Sequence, residues 1–261
     1  MIRRLGTILT VAVLGCMVFP AGAADTGERP SVERTFDLAL ALGRYPDQED
    51  ENSDGQSFSL RWFKPKNFDF RLNGGRQQRF GESTLGMGVA YGHFLTDKSK
   101  LTVGVSASTG ELAPQWSTSV TIRRPFFNNL PLWFGYTHDH WDNGGRQDRF
   151  ALGGEKWSKH WILEAAARYN MNDPGDHSGW GGNVGLTWYR WKELYIGGGY
   201  NFGDVRYEPA GFENVLVEYE ARGYYMTLEH WFSPRSGIGF RLGQADNPES
   251  YGIRGRWFTK W

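Results

Sequence analysis

The final stretch, Tyr251-Gly-Ile-Arg-Gly-Arg-Trp-Phe-Thr-Lys-Trp261, alternates in side-chain character up to its last residue. Successive side chains of an extended chain point to opposite faces, so Tyr251, Ile253, Trp257 and Trp261 share one face and Arg254, Arg256 and Lys260 the other. A greasy, aromatic face backed by a cationic one suits a strand with lipid on one side and water on the other. The alternative, an edge strand of a soluble sandwich, leaves two tryptophans and a phenylalanine in the last five residues with nothing to do.

The same alternation runs upstream. Arg34 to Tyr45 sets Phe36, Leu38, Leu40 and Leu42 against Asp37, Ala39, Ala41 and Gly43. Gln56 to Lys64 sets Phe58, Leu60 and Trp62 against Ser57, Ser59 and Arg61. Further strands are expected at Asn67 to Asn73, Thr84 to Phe94, Lys100 to Ser108, Gln115 to Arg124, Leu130 to Asp139, Asp148 to Glu155 and His160 to Tyr169. Gly181 to Arg190, Glu193 to Asn201, Val215 to Trp231, Gly237 to Leu242 and the terminal stretch complete the set. Short turns, as at Pro65, Thr96 to Ser99 and Ser233 to Ser236, take turns with longer loops at Pro46, Gly74, Gly110, His140, Asn170, Gly203 and Gly243. The reading is an all-β, single antiparallel transmembrane β-barrel over residues 34–261, with about 14 strands and 12 or 16 as alternatives.

The chain begins with Arg3 and Arg4, an apolar run from Leu5 to Phe19, and Ala21-Gly22-Ala23, which reads as a signal peptide over residues 1–23, followed by a periplasmic leader over 24–33. Val13-Leu14-Gly15-Cys16 offers a rival reading as a lipidation box. Cys16 is the only cysteine, so the exported chain would have no disulfide framework, thiolate metal site or cysteine nucleophile. Beyond the first residues no apolar run is long enough for a membrane helix. The formal net charge of zero gives no overall pull toward nucleic acid.

Assigning the bulky face to lipid puts Trp116, Val120, Leu132, Phe134, Trp161, Leu163, Val184 and Leu186 outside. The lumen then receives Arg61, Arg71, Arg123, Arg149, Arg168, Arg241, Arg254 and Arg256, with Asp69, Glu155, Glu164, Glu193 and Glu229 among them. These charges read either as ion-pair ladders that shape the lumen or as a positive path for an anionic solute or acidic sugar chain. The short turns are basic, with Lys64, Lys66, Lys98, Arg124, Lys159, Lys192 and Arg235, whereas the first long loop is acidic, with Asp47, Glu49, Asp50, Glu51 and Asp54.

Two stretches could hold a metal. Asp50, Asn52 and Asp54 before Gly55 match the start of a calcium loop, although the twelfth position is Arg61 where a Glu is needed. His138 and His140 lie two apart on a strand with Asp142 beyond, a candidate zinc set without a fourth ligand. No Gly-x-Ser-x-Gly turn ties a serine to a histidine. Gly197-Gly198-Gly199 lacks the Lys and Ser of a phosphate loop, and its role is to bend the wall or make room inside. The sequence calls for no cofactor.

The hairpin Tyr224-Tyr-Met-Thr-Leu-Glu-His-Trp-Phe-Ser-Pro-Arg-Ser-Gly-Ile-Gly-Phe-Arg-Leu-Gly243 and the closing Tyr251 to Trp261 resemble the YaiO family of outer-membrane barrels. The resemblance implies an outer-membrane location, in contact with lipid and lipopolysaccharide. It also implies a terminal signal carried by Trp257 and Trp261 for the barrel-assembly machinery. It departs from that signal in ending on Trp rather than Phe, and in placing Gly255 one position from the usual glycine. By analogy with barrels found beside polysaccharide-export components, the expected function is a non-enzymatic channel or docking surface for an anionic solute or exopolysaccharide. The alternatives are a barrel-wall hydrolase of lipid A or phospholipid and a surface adhesin.

Overall fold

The computed structural model describes residues 32–261, apart from 46–50, 80, 97, 111–112, 128–129, 143, 174–176, 191–192, 208–216 and 247–248. The expected signal peptide, Cys16 and all but the end of the leader lie outside the described residues, as do Asp47, Glu49, Asp50 and Lys192. Fourteen strands follow one another: β1 (Glu33–Tyr45), β2 (Glu51–Lys64), β3 (Phe68–Arg79), β4 (Glu82–Phe94), β5 (Lys100–Thr109), β6 (Trp116–Phe127) and β7 (Leu130–His140). The second half is β8 (Arg146–Trp157), β9 (Trp161–Asp173), β10 (His177–Arg190), β11 (Leu194–Tyr207), β12 (Val217–Trp231), β13 (Ser236–Asp246) and β14 (Glu249–Lys260).

Each strand pairs antiparallel with its chain neighbours, and β1 pairs with β14 from Thr35↔Lys260 to Arg44↔Tyr251, so the sheet closes. The last residue takes part in the seam: the Trp261 amide donates to Arg34 O at 3.0 Å, and the Arg34 amide to Trp261 O at 3.1 Å. A closed sheet leaves no row of unpaired backbone groups, which is what lets strands live in hydrocarbon.

The wall is apolar outside and polar inside. Leu42, Leu152 and Met226 are 63%, 57% and 65% exposed, while the only buried hydrophobic residues among those described are Ala39, Tyr189 and Phe258. In water such a surface would be an unmatched liability; facing acyl chains it is at rest. Aromatic pairs flank this band at both ends. Phe36–Trp257 and Trp62–Phe70 lie near the short turns, at centroid distances of 5.9 and 5.5 Å, with Tyr169–Trp180 and Tyr200–Tyr224 toward the other end at 4.8 and 5.0 Å. Closure and this outer band suit the chain to the cell outer membrane.

Three of the loops are shorter than the sequence reading expects, at Gly74, His140 and Gly243. The glycines at Gly74 and Gly75 do not end β3, which continues to Arg79, and β13 continues past Gly243 to Asp246. His140 closes β7 rather than opening a loop. Strands of 10 to 15 residues exceed the roughly nine to eleven needed to cross tilted. Antiparallel pairing continues beyond the apolar band because neighbouring strands still offer partners, even where the sequence turns polar and glycine-rich. At the opposite end β6 runs through Pro125 with a register shift before Phe127, where the expected turn begins.

Candidate functional site

The lumen face of the short-turn half is organised by one acid. Asp69 is 2% exposed and receives a fork from Arg61, with Nε to Oδ1 at 2.7 Å and Nη2 to Oδ2 at 3.0 Å. Arg71 donates to the same two oxygens at 3.3 and 2.9 Å, and Lys100 Nζ donates to Oδ2 at 2.8 Å. Arg61 and Arg71 are direct cross-strand partners, so Asp69 relieves a like-charge contact that would otherwise destabilise the β2/β3 pair. Lys100 is likewise opposite Arg123, and the two diverge: Lys100 to Asp69, and Arg123 to Glu155 at 3.0 Å.

Other charges form smaller groups. Arg256 bonds Asp37 at 2.7 Å and approaches Glu229 at 3.4 Å, and Glu229 also accepts from Trp231 Nε1 at 2.8 Å. Arg149 donates to Asp139 at 3.2 Å and to Gln147 at 2.7 Å. Asp139, 4% exposed, also accepts from the Ser117 hydroxyl. Glu164 accepts from the Tyr225 phenol at 3.0 Å. Arg241 lies over the Tyr225 ring at 4.0 Å, and Arg254 donates to Ser57 Oγ at 3.3 Å.

Large lumen side chains are laid against the wall in glycine gaps. Tyr225 reaches from β12 over β11 and β10 to Glu164 on β9 because Gly199 and Gly185 carry no side chain. A Cβ at Gly199 would lie 2.5 Å from the phenol, and one at Gly185 2.7 Å from its hydroxyl. Trp133 covers Gly153 in the same manner, within 2.5 Å of where a Cβ would stand. The toward-loop half of the lumen is open, as a cavity of about 1400 Å³ that Tyr225 lines from the wall. Arg149, Arg168, Arg241, Arg254 and Arg256 all line it.

Some expected site residues are placed elsewhere. Glu193 is not on the lumen wall: it sits in the turn before β11, 54% exposed and paired with Arg190 at 2.7 Å, because the strand starts one residue later. The calcium-loop reading fails because β2 begins at Glu51 and holds Asn52 and Asp54 extended opposite Arg44 and Leu42, where a chelating loop must curl. The zinc reading of His138 and His140 is also corrected. His138 Nδ1 meets Asp148 Oδ1 at 2.8 Å, and the Trp116 indole packs on both imidazoles at 5.2 and 5.3 Å. Among the described residues no group of three or more His, Cys, Asp or Glu side chains is disposed to hold a metal. Sequence reasoning missed Lys100, Asp37 and Tyr225. Their in-phase positions with Thr102, Ala39 and Thr227 could have placed all three on the lumen face; the glycine groove that lays Tyr225 on the wall is seen only in the structure.

No protein-family model and no curated protein matches the sequence. Among solved structures the chain is similar to the CymD monoaromatic hydrocarbon channel, with a TM-score of 0.61 and 8% identity over 94% of this chain and 91% of that one. It is also similar to a bacterial polysaccharide outer membrane secretin, with a TM-score of 0.56 and 8% identity over 87% and 98%. The Acinetobacter baumannii outer membrane protein Omp33 gives 0.53 and 10% over 89% and 100%. The fold is that of an outer-membrane β-barrel.

Proposed function

We propose that this barrel is a non-enzymatic passage across the outer membrane for anionic solutes, with an acidic exopolysaccharide chain as the extended form of such a cargo. One observation carries the reading: among the described residues that line the cavity, five arginines in the inward-facing phase of their strands, Arg149, Arg168, Arg241, Arg254 and Arg256, stand against two inward aspartates, Asp37 and Asp139, with no lysine or glutamate. A water-filled space walled by fixed cations concentrates anions and repels cations. The glycine-laid tyrosine supports it, since Tyr225 is folded onto the wall instead of crossing the lumen.

Reconstitution in planar bilayers tests the reading. Under a salt gradient the reversal potential is expected to show anion preference; a silent membrane or cation preference overturns it. Within the same proposal, the likeness of Tyr224 to Gly243 and of the terminal strand to YaiO barrels gives Trp257 and Trp261 a role in recognition by the insertion machinery. The position of Trp261 at the closing seam supports that role. Lipopolysaccharide at the outer face and polysaccharide-export components belong to the reading as partners.

A second reading, a barrel-wall hydrolase of lipid A or phospholipid, draws on the His138–Asp148 pair, whose residues alternate with the lumen-facing Asp139 and Arg149 and so face outward. A carboxylate on Nδ1 orients an imidazole as a general base would need. No serine hydroxyl is bonded to it among the described residues. An acyl-chain change in membrane lipids that disappears with His138→Ala would favour this reading over the first.

A further inference from the structure

Among the described residues, three places on the lumen wall set two cations directly opposite each other: Arg61 and Arg71, Lys100 and Arg123, and Arg241 and Arg254. The first two are resolved from within, by Asp69 and Glu155. The third is not. Among the described residues neither Arg241 nor Arg254 pairs with a carboxylate; one guanidinium rests on the Tyr225 ring and the other on the Ser57 hydroxyl. Both holders fix position without cancelling charge, so two full positive charges stay on the cavity wall.

The space around this pair also differs. At Gly185 and Gly199 the room left by a missing side chain is filled by Tyr225. Beside the arginines, Gly239, Gly243 and Gly252 point the same way as Arg241 and Arg254. A Cβ at Gly243 or Gly252 would meet only a backbone oxygen, at 3.8 and 3.5 Å, and one at Gly239 nothing closer than 3.6 Å. The wall is bare where the charge is uncompensated.

We infer that Arg241 and Arg254, with Ser57, form a binding site for carboxylate groups carried on successive units of an acidic sugar chain. Arg241 leans toward β12 while Arg254 reaches across Ala39 and Ala41 of β1 to β2, so the two guanidiniums are spread along the circumference. Spread donors suit a ligand with repeated acidic groups better than one small anion. Guanidinium and carboxylate pair by charge-assisted hydrogen bonds, and the glycine floor admits a sugar ring against the wall. This inference deepens the proposed passage by naming what would rest in it, and rests on that reading for its biological sense.

The probe is trigalacturonate, with maltotriose as the uncharged control, titrated by calorimetry at low salt into the full chain folded in detergent micelles, with folding checked by heat-dependent gel mobility. Trigalacturonate binds the native barrel, maltotriose does not, and Arg241→Gln with Arg254→Gln weakens binding by at least about tenfold, as expected for loss of charge-assisted bonds. Ser57→Asp, which supplies the missing carboxylate beside Arg254, weakens it similarly through a different change. Arg71→Gln, at the self-neutralised cluster, leaves it within about twofold. No trigalacturonate binding, equal binding of maltotriose, or unchanged affinity in a folded double variant overturns the site. Conductance is a separate readout: a barrel that binds but does not conduct refutes the passage and keeps the site, and one that conducts but does not bind does the reverse.

Discussion

At Asp69, three cations from β2, β3 and β5 gather on one carboxylate that is 2% exposed, whereas at Arg241 and Arg254 two arginines stand opposite each other with only a phenol and a hydroxyl as company. Both regions start from the same fault, like charges directly across a β-pair. In the first, the fault is repaired with an internal acid and becomes a brace joining three strands. In the second it is left open beside bare glycine floor, facing the cavity. The difference teaches that an arginine on a lumen wall is not informative by itself. What holds it, an acid or a neutral group, decides whether its charge is spent on the wall or offered to the solute.

The most severe way to break this contrast is to remove the brace. Asp69→Ala leaves three cations around a buried vacancy and is expected to lower stability by about 3 kcal/mol, read as a fall in the urea midpoint of barrels in lipid vesicles. A shift close to zero would mean the cluster is solvated and the two regions are alike. Next, Gly199→Ala forces the Tyr225 phenol off the wall, at an expected cost of about 1 to 3 kcal/mol, with lower conductance as the ring enters the lumen. Undiminished conductance would show the groove to be dispensable. Tyr225→Phe keeps the ring beneath Arg241 but deletes the bond to Glu164, and about 1 kcal/mol is expected with ion preference retained. The smallest effect sharpens the contrast: Ser57→Asp builds an ion pair at the third like-charge contact and should raise stability by about 0.5 kcal/mol in low salt, fading as salt is added. Destabilisation there would mean the second region already has a compensating charge.

The period-two pattern made the wall legible. Leu38, Leu40 and Leu42 against Ala39, Ala41 and Gly43 settle which way β1 faces without reference to any other strand. Strand ends were less legible, as at Gly74 and Gly243, because a glycine that would end an isolated strand is tolerated once both neighbours pair with it. Histidine placement misled for a related reason: two imidazoles on one strand face look like ligands until the Trp116 indole from the next strand is seen against both. The partner of Glu164 was out of reach, since Tyr225 is 61 residues away and meets it only across two strands whose glycines leave the path clear.

The sequence by itself determined that alternate residues would form a wall greasy on one side and charged on the other, because side-chain direction in a strand depends on position alone. It also placed an excess of arginine on the inner face. Only the closed structure decided which of those arginines would be neutralised, because that depends on register between strands, and register sets Asp69 within reach of Arg61, Arg71 and Lys100 while leaving Arg241 and Arg254 to each other.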